Sequence, residues 1–237
     1  VEQGERIQTM VHFRDFTEDE VYLFMVTRNG TVKRLAASAL KNIRASGIRA
    51  LRLDDGDELI SVRETDGKQN ILIATHDGMA VCFDENDVRP MGRDAVGVRG
   101  IRLRQGDYVV GAARAKANHA VLAITENGYG KRTDMDEYIR ADGPQKRGGF
   151  GLKGYNVTEK TGPVVGVKVV SDEDDILVIN DAGVIIRMAV KDINVYSRSA
   201  QGVKLMNLDE GVKVISIART DHEEEETGAS APETKEG

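Results

Sequence analysis

The chain has 237 residues, 40 % hydrophobic and 30 % charged, enough apolar content for a sizeable core and too much for a disordered chain. The formal net charge is −6; no apolar run approaches the roughly 18 residues of a membrane helix, and the first residues are charged, so neither a membrane span nor a signal peptide is expected. The single cysteine, Cys82, excludes an internal disulfide framework and a multi-cysteine zinc site and fits a reducing compartment.

In chain order, the opening VEQGERIQTMV matches only the end of a unit that then recurs. Residues 1–20 are therefore expected to supply the last strand of a preceding unit, and the absence of an initial methionine fits a chain cut from something longer. Four segments follow with one pattern: VYLFMVTRNGTVKRL from Val21, NILIATHDGMAVCF from Asn70, AVLAITENGYGKRT from Ala120 and DILVINDAGVIIRM from Asp175. Their glycines, Gly30, Gly78, Gly128 and Gly183, are spaced by 48, 50 and 55 residues. A second glycine pair recurs in each unit: Gly47 and Gly56, Gly97 and Gly106, Gly151 and Gly162, Gly202 and Gly211. The apolar runs are short and β-branched and are joined by Asn-Gly, Asp-Gly or Ala-Gly turns, which is hairpin grammar rather than helix grammar. LAASALKNI is the nearest approach to a helical stripe and is expected to form one short turn.

A period near 50 with about four strands per unit points to blades around an axis. The expected fold is all-β, a propeller-like β-pinwheel of four complete four-stranded blades plus the last strand of a preceding one. The blades are read at 21–69, 70–118, 119–170 and 171–220. The final stretch, 221–237, carries seven acids against one lysine and is expected to be a disordered acidic tail; without it the chain holds 32 basic and 32 acidic residues.

Charge segregates within the repeat. Arg28 to Arg52 holds seven basic residues and no acid, and Asp54 to Asp66 holds six acids and one arginine. A basic position repeated in phase around a disk becomes a belt, which suits a bent phosphate backbone; a solvated surface of mixed charge is the plain alternative. The candidates are Lys33, Arg34, Arg44 and Arg49 in the first repeat, Arg93 and Arg99 in the second, Lys131 and Arg132 in the third, and Arg187, Arg198 and Lys204 in the fourth. The stretch GPQKRGGFG adds Gln145, Lys146, Arg147, Gly148, Gly149 and Gly151. Its glycines allow close backbone approach and offer bare amides to a phosphate. It lies in the slot where other repeats carry RASG, DAVG and RSAQG, which favours an ordered loop over a flexible one.

These segments resemble the C-terminal domain of the DNA gyrase A subunit. The resemblance is carried by TRNGTVKR, by THDGMAVCF with DVRPMGRDAVGVRGIRL, by TENGYGKRT with QKRGGFG, and by AQGVKLMNLDEGVKVISIA, and it runs through nearly all of residues 1–220. It implies a β-pinwheel whose blades exchange strands with their neighbours and which wraps DNA around its rim, supporting ATP-dependent negative supercoiling. It also implies a box, Gln-Arg-Arg-Gly-Gly-Lys-Gly, needed for wrapping. Gln145 to Gly151 resembles that box, with Lys146 keeping a charge and Phe150 losing one; in the family the box belongs to the first blade, so this copy reads as an echo. The implied partners are duplex DNA and, in a heterotetramer, the gyrase B subunit together with the remainder of the gyrase A subunit, with no membrane. The implied location is the bacterial cytoplasm, at the nucleoid. No cofactor is expected in this chain, and ATP and Mg are expected in other parts of the enzyme.

The chain is not expected to be an enzyme alone. It has no GxxxxGK[ST] phosphate loop, and none of its six tyrosines resembles the strand-cleaving one. His12, His76, His119 and His222 lack metal-ligand spacing, DDGDE and DEDD lack the EF-hand pattern, and Cys82 lies in an apolar run. Two other readings stay open: the corresponding domain of the topoisomerase IV A subunit, and a propeller used as a protein-interaction scaffold without a DNA role.

Overall fold

The computed structural model describes residues 20–42 and 47–221. The strand expected within 1–20, the tail beyond Asp221 and the candidate Arg44 lie outside the described residues, apart from the end residues Glu20 and Asp221.

The first repeat contributes β1 (Tyr22–Thr27), β2 (Thr31–Ala36) and β3 (Leu59–Thr65). The second contributes β4 (Asn70–Thr75), β5 (Met79–Asp84), β6 (Val98–Arg99) and β7 (Val109–Ala115). The third contributes β8 (Ala120–Thr125), β9 (Tyr129–Asp134), β10 (Leu152–Lys153) and β11 (Val164–Val170). The fourth contributes β12 (Asp174–Asn180), β13 (Ile185–Ala189), β14 (Val203–Lys204) and β15 (Val214–Asp221). Each hairpin turn closes with the glycine amide on the carbonyl three residues back, as in Gly30 to Thr27 at 3.1 Å, with the glycine left-handed as such turns require. Within LAASALKNI, Ala37–Leu40 forms a single 3₁₀ turn.

The sheets are not contiguous segments. Their strand orders are β3-β1-β2-β6, β7-β4-β5-β10, β11-β8-β9-β14 and β15-β12-β13, so each of the first three sheets takes its outermost strand from the next repeat. Four four-stranded blades were expected; among the described residues the fourth sheet has three strands, because its outer partner would have to come from a further repeat. The segment of the first repeat equivalent to these lent strands, 47–50, forms no strand. Ile48, Ala50 and Leu51 instead pack over Leu23, Met25 and Leu35 on the free face of the first sheet.

Glycine is required where a lent strand docks. A Cβ on Gly97, Gly151 or Gly202 would lie 2.5, 2.2 and 2.3 Å from the carbonyl oxygen of Val32, Ala80 and Gly130, and all three have positive φ. At Gly47 a Cβ would meet none of the described residues' atoms within 4 Å.

The sheets stack through their faces. Alternate residues of each strand enter different layers: Phe24 and Val26 meet Ile71 and Ile73, while Leu72 and Ala74 meet Val121. Leu122 and Ile124 meet Ile176 and Val178. Burial on both faces explains why the strands read as continuous apolar runs rather than alternating ones. The innermost strands pack in succession, β3 on β7, β7 on β11 and β11 on β15, around a common axis. The short lent strands lie at the opposite, outer edge of each of the first three sheets.

Candidate nucleic-acid interface

The candidate cations fall into two groups. The Lys-Arg pairs of β2 and β9 point inward: Lys33 and Lys131 are 0 % exposed, Arg34 4 % and Arg132 8 %. The Lys33 ammonium donates to the carbonyls of Ala50, Arg93 and Ala95 at 2.9, 2.7 and 2.9 Å. The Lys131 ammonium donates to those of Ser197 and Arg198, both at 2.6 Å, beside the Tyr155 ring. Arg34 pairs with the buried Glu85 at 3.2 Å and lies over Tyr22. Arg132 pairs with Asp172 and donates to the carbonyl of Ile193. The expectation that these four face a phosphate backbone is therefore corrected: each is engaged inside the fold, holding a loop that crosses to the next repeat. Burial pulls the Lys131 ammonium down to about 8, with Glu137 opposing and Arg198 adding to the shift. Burial also lowers Lys33, against Asp94.

The second group lies on the outer edge. Two residues after each docking glycine, Gly97, Gly151 and Gly202, stands an exposed basic residue: Arg99, Lys153 and Lys204. Arg99, Lys153 and Lys204 sit on the three lent strands, so they repeat in phase along the rim. Arginines four residues before the glycines link them. Arg147 donates through Nη1 to the carbonyl of Arg99 at 2.9 Å, and Arg198 through Nη1 to that of Lys153 at 3.1 Å. The belt thus alternates an exposed cation with an arginine that fixes the strand carrying it. Lys153 is missing from the candidates read in the sequence, yet its phase with Arg99 and Lys204 was there to be read.

The loop at Gln145–Gly151 is ordered as expected from its slot. The Gln145 amide donates to Cys82 O at 2.8 Å and the Gly148 amide to Gly100 O at 2.6 Å. Arg147 Nε donates to Asp87 O at 2.8 Å, and the exposed Lys146 ammonium pairs with Asp87 Oδ1 at 2.9 Å, which raises its pKa. Gly149 is exposed and accepts from the Arg102 amide through its carbonyl. Phe150, 41 % exposed, is flanked by the guanidiniums of Arg102 and Arg104 at 4.9 and 5.9 Å from its centroid. Here the cations absent from the loop are supplied by the second repeat, a contact between repeats that spacing did not reveal.

The remaining candidates scatter. Arg93 and Arg49 are exposed, the first on the loop that Lys33 holds. Arg187 lies across its own sheet, paired with Asp175 at 2.7 Å and donating to Asp221 O, and does not join the belt. His76, Asp77 and Asp107 bring ligand atoms within 4.8 Å of one another. Asp107 Oδ1 already accepts the amides of Asp77 and Tyr108, just as Asp57 Oδ1 accepts those of Asn29 and Glu58. These acids clamp turns.

The repeat, the strand exchange and the cation phase all bear on kinship. The family model for the DNA gyrase C-terminal domain, beta-propeller, matches four times, at residues 22–66, 69–116, 119–171 and 174–221. The chain belongs to this family. Among curated relatives, the DNA gyrase A subunit of Staphylococcus epidermidis is 42 % identical over 227 residues, which cover 95 % of this chain and 25 % of that protein. The chain thus spans about a quarter of the length of such relatives. Among solved structures, the C-terminal domain of DNA topoisomerase IV superposes with a TM-score of 0.86 at 27 % identity, covering 93 % of this chain and 68 % of that one. The DNA gyrase A C-terminal domain superposes with 0.76 at 28 % identity, covering 87 % and 68 %. The expected propeller-like all-β fold and its gyrase A kinship both hold.

Proposed function

We propose that this chain binds duplex DNA without reading its sequence and bends it along the outer edge of the sheets. In this reading it works as the C-terminal domain of the gyrase A subunit, where it supports ATP-dependent negative supercoiling. The observation that carries the reading is the in-phase row of exposed cations on consecutive lent strands, Arg99, Lys153 and Lys204, braced by Arg147 and Arg198. A row that follows the curve of stacked sheets meets a phosphate backbone only if the backbone curves with it, and the phosphate contacts made along the curve offset the bending cost. Exposed Lys146 and the Arg102–Phe150–Arg104 cluster extend the row. Strand cleavage, ATP and Mg belong, in this reading, to the gyrase B subunit together with the rest of the gyrase A subunit. The whole acts in the bacterial cytoplasm at the nucleoid.

A salt titration on a random-sequence duplex tests this. A module with roughly 6–10 phosphate contacts loses about 10³–10⁵ in affinity between 50 and 200 mM salt. A flat response removes the DNA reading and favours an interaction scaffold.

The TM-score of 0.86 against the topoisomerase IV domain favours a second reading, a domain of that enzyme's A subunit, while the 42 % identity to gyrase A favours the first. Relaxing a nicked circle, sealed in the presence of the chain, separates them: a wrapping domain leaves a linking-number change that scales with bound protein, and a domain that only binds leaves none.

A further inference from the structure

The innermost strands carry a second set of cations, far from the rim. Arg63 on β3 pairs in register with Phe24, Arg114 on β7 with Ile71, Lys168 on β11 with Leu122 and Arg219 on β15 with Ile176. Phe24 and Ile71 face each other across one layer between sheets, and Leu122 and Ile176 across another. The two pairs flank different layers but lie at the same end of the innermost strands, which pack in succession β3, β7, β11 and β15. Arg63 and Lys168 are half-buried, and Arg114 and Arg219 are exposed.

They feel one another. Burial first, then Arg114 and Arg219, lowers the pKa of Arg63. Burial first, then Arg63 and Arg219, lowers that of Lys168. Among the described residues one carboxylate stands within ion-pair distance of any of the four, Asp174 at 3.6 Å from Arg219. Asp174 is itself occupied, accepting from the Ser171 amide and hydroxyl. Four cations with one acid, set against Arg219 alone and backed by packed strands, leave a strong local positive potential.

We propose that this axial cation cluster is a binding site for a small multivalent anion, of the chemistry of a linear polyphosphate. Three guanidinium forks and one ammonium suit several phosphate oxygens at once. DNA on the rim does not neutralise this site. The lent strands and the inner strands are separated by three interstrand spacings, about 14 Å, and the sheets themselves stand between. The chain's own Glu223–Glu226, which follow β15 in sequence, offer the same anionic chemistry, so the test carries an arm for them.

Tripolyphosphate is titrated calorimetrically into the full chain, into Arg63→Gln/Lys168→Gln, into Lys153→Ala/Lys204→Ala on the rim, and into a chain with glutamates 223–226 changed to glutamine. The axial variant is expected to lose about tenfold in affinity per phosphate contact removed, since each such contact is a charged hydrogen bond, while the rim variant keeps wild-type affinity. Tighter binding by the glutamine variant than by wild type makes the glutamates the resident anion of the same site. If the axial double variant fails to fold, exposed Arg114→Gln replaces it. Equal affinity of the axial variant and wild type, or loss only in the rim variant, overturns the proposal, as does no binding in any chain including the glutamine variant.

Discussion

Arg147 donates from its guanidinium to the carbonyl oxygen of Arg99 at 2.9 Å, fastening the loop of the third repeat to the strand that the second repeat lends to the first sheet. Its neighbour Lys146 makes one ion pair, at 2.9 Å to Asp87, and keeps 84 % of its side chain exposed. Two adjacent cations in one loop thus do different work: one holds the rim together and the other is available to a ligand.

Separate substitutions distinguish them. Lys146→Ala is expected to lower the slope of log affinity against log salt by about 0.9, one phosphate contact, with the thermal midpoint unchanged. Arg147→Ala removes two charged hydrogen bonds to carbonyls and is expected to cost about 2 kcal/mol of stability. A paired salt titration and thermal melt checks both, and a stable Arg147→Ala chain with a slope lower by one contact would reverse the assignment.

Lys33 supports the opposite expectation. Lys33→Met keeps the stem but leaves the carbonyls of Ala50, Arg93 and Ala95 without their donor. A loss of about 3 kcal/mol is expected, a fall of roughly 6–12 °C in thermal midpoint for a chain of this size. The salt slope of DNA binding should not change, because the ammonium is not at the surface. A reduced slope with an unchanged midpoint would put Lys33 back at the interface.

Most of the architecture was legible from the glycine period, because each hairpin turn and each docking glycine imposes its residue wherever it occurs. Strand exchange was not legible from the period itself. A two-residue strand such as Val98–Arg99 carries no periodicity of its own, and its partner, Thr31–Val32, is set by tertiary packing. The buried lysines misled for a related reason. TVKRL and GKRT look like solvent-facing strands, yet the third residue after the turn glycine is Lys33, Val81, Lys131 and Ile186 in the four repeats. A slot shared with valine and isoleucine is a core slot, and a lysine there must find backbone acceptors for its buried charge, as Lys33 and Lys131 do. That comparison across repeats was the available signal. The axial cations had none, since Arg63 and Lys168 share a register that Arg114 and Arg219 miss by one residue.

Cys82 reports on the integrity of the layer between the second and third sheets. It is 0 % exposed, and burial pushes its thiol up to about 12. Only about one part in 10⁴ is thiolate at pH 8, so an alkylating reagent should modify the native chain far more slowly than the unfolded one. The unfolded thiol loses its proton near its ordinary value of 9.0 and the folded one only near 12, so this group's contribution to stability is present below pH 9 and is lost as pH rises from 9 toward 12. Rapid alkylation of the folded chain at pH 8 would mean that the layer opens readily.

Two glycines of equal φ separate conformational from steric cost. Gly47 and Gly151 have φ of +77° and +76°. Among the described residues a Cβ at Gly47 meets nothing within 4 Å, whereas at Gly151 it would lie 2.2 Å from Ala80 O. Gly47→Ala should cost about 1 kcal/mol, the left-handed backbone term, and Gly151→Ala several kcal/mol more, because β10 must leave β5. Equal midpoints for the two variants would show that the lent strand contributes nothing to stability.

The fourth sheet leaves an edge without a lent strand. Among the described residues β13 pairs only with β12, while β2, β5 and β9 are each covered by a strand from the following repeat. Next to that edge Val184 is 50 % and Ile185 59 % exposed. Unpaired backbone beside exposed aliphatic side chains is a template for another strand. The first repeat carries a matching donor, Gly47-Ile48-Arg49, which occupies no edge among the described residues. Two copies can therefore meet head to tail, donor to edge, with nothing in the contact to close it into a ring. The chain is expected to show concentration-dependent association by sedimentation velocity, and Ile185→Lys is expected to suppress it by placing a charge on the docking edge. Because Ile185 is exposed, the substitution should leave the thermal midpoint of the monomer unchanged. A wild-type chain that sediments as one species at every concentration would mean that the β13 edge is satisfied from within the chain.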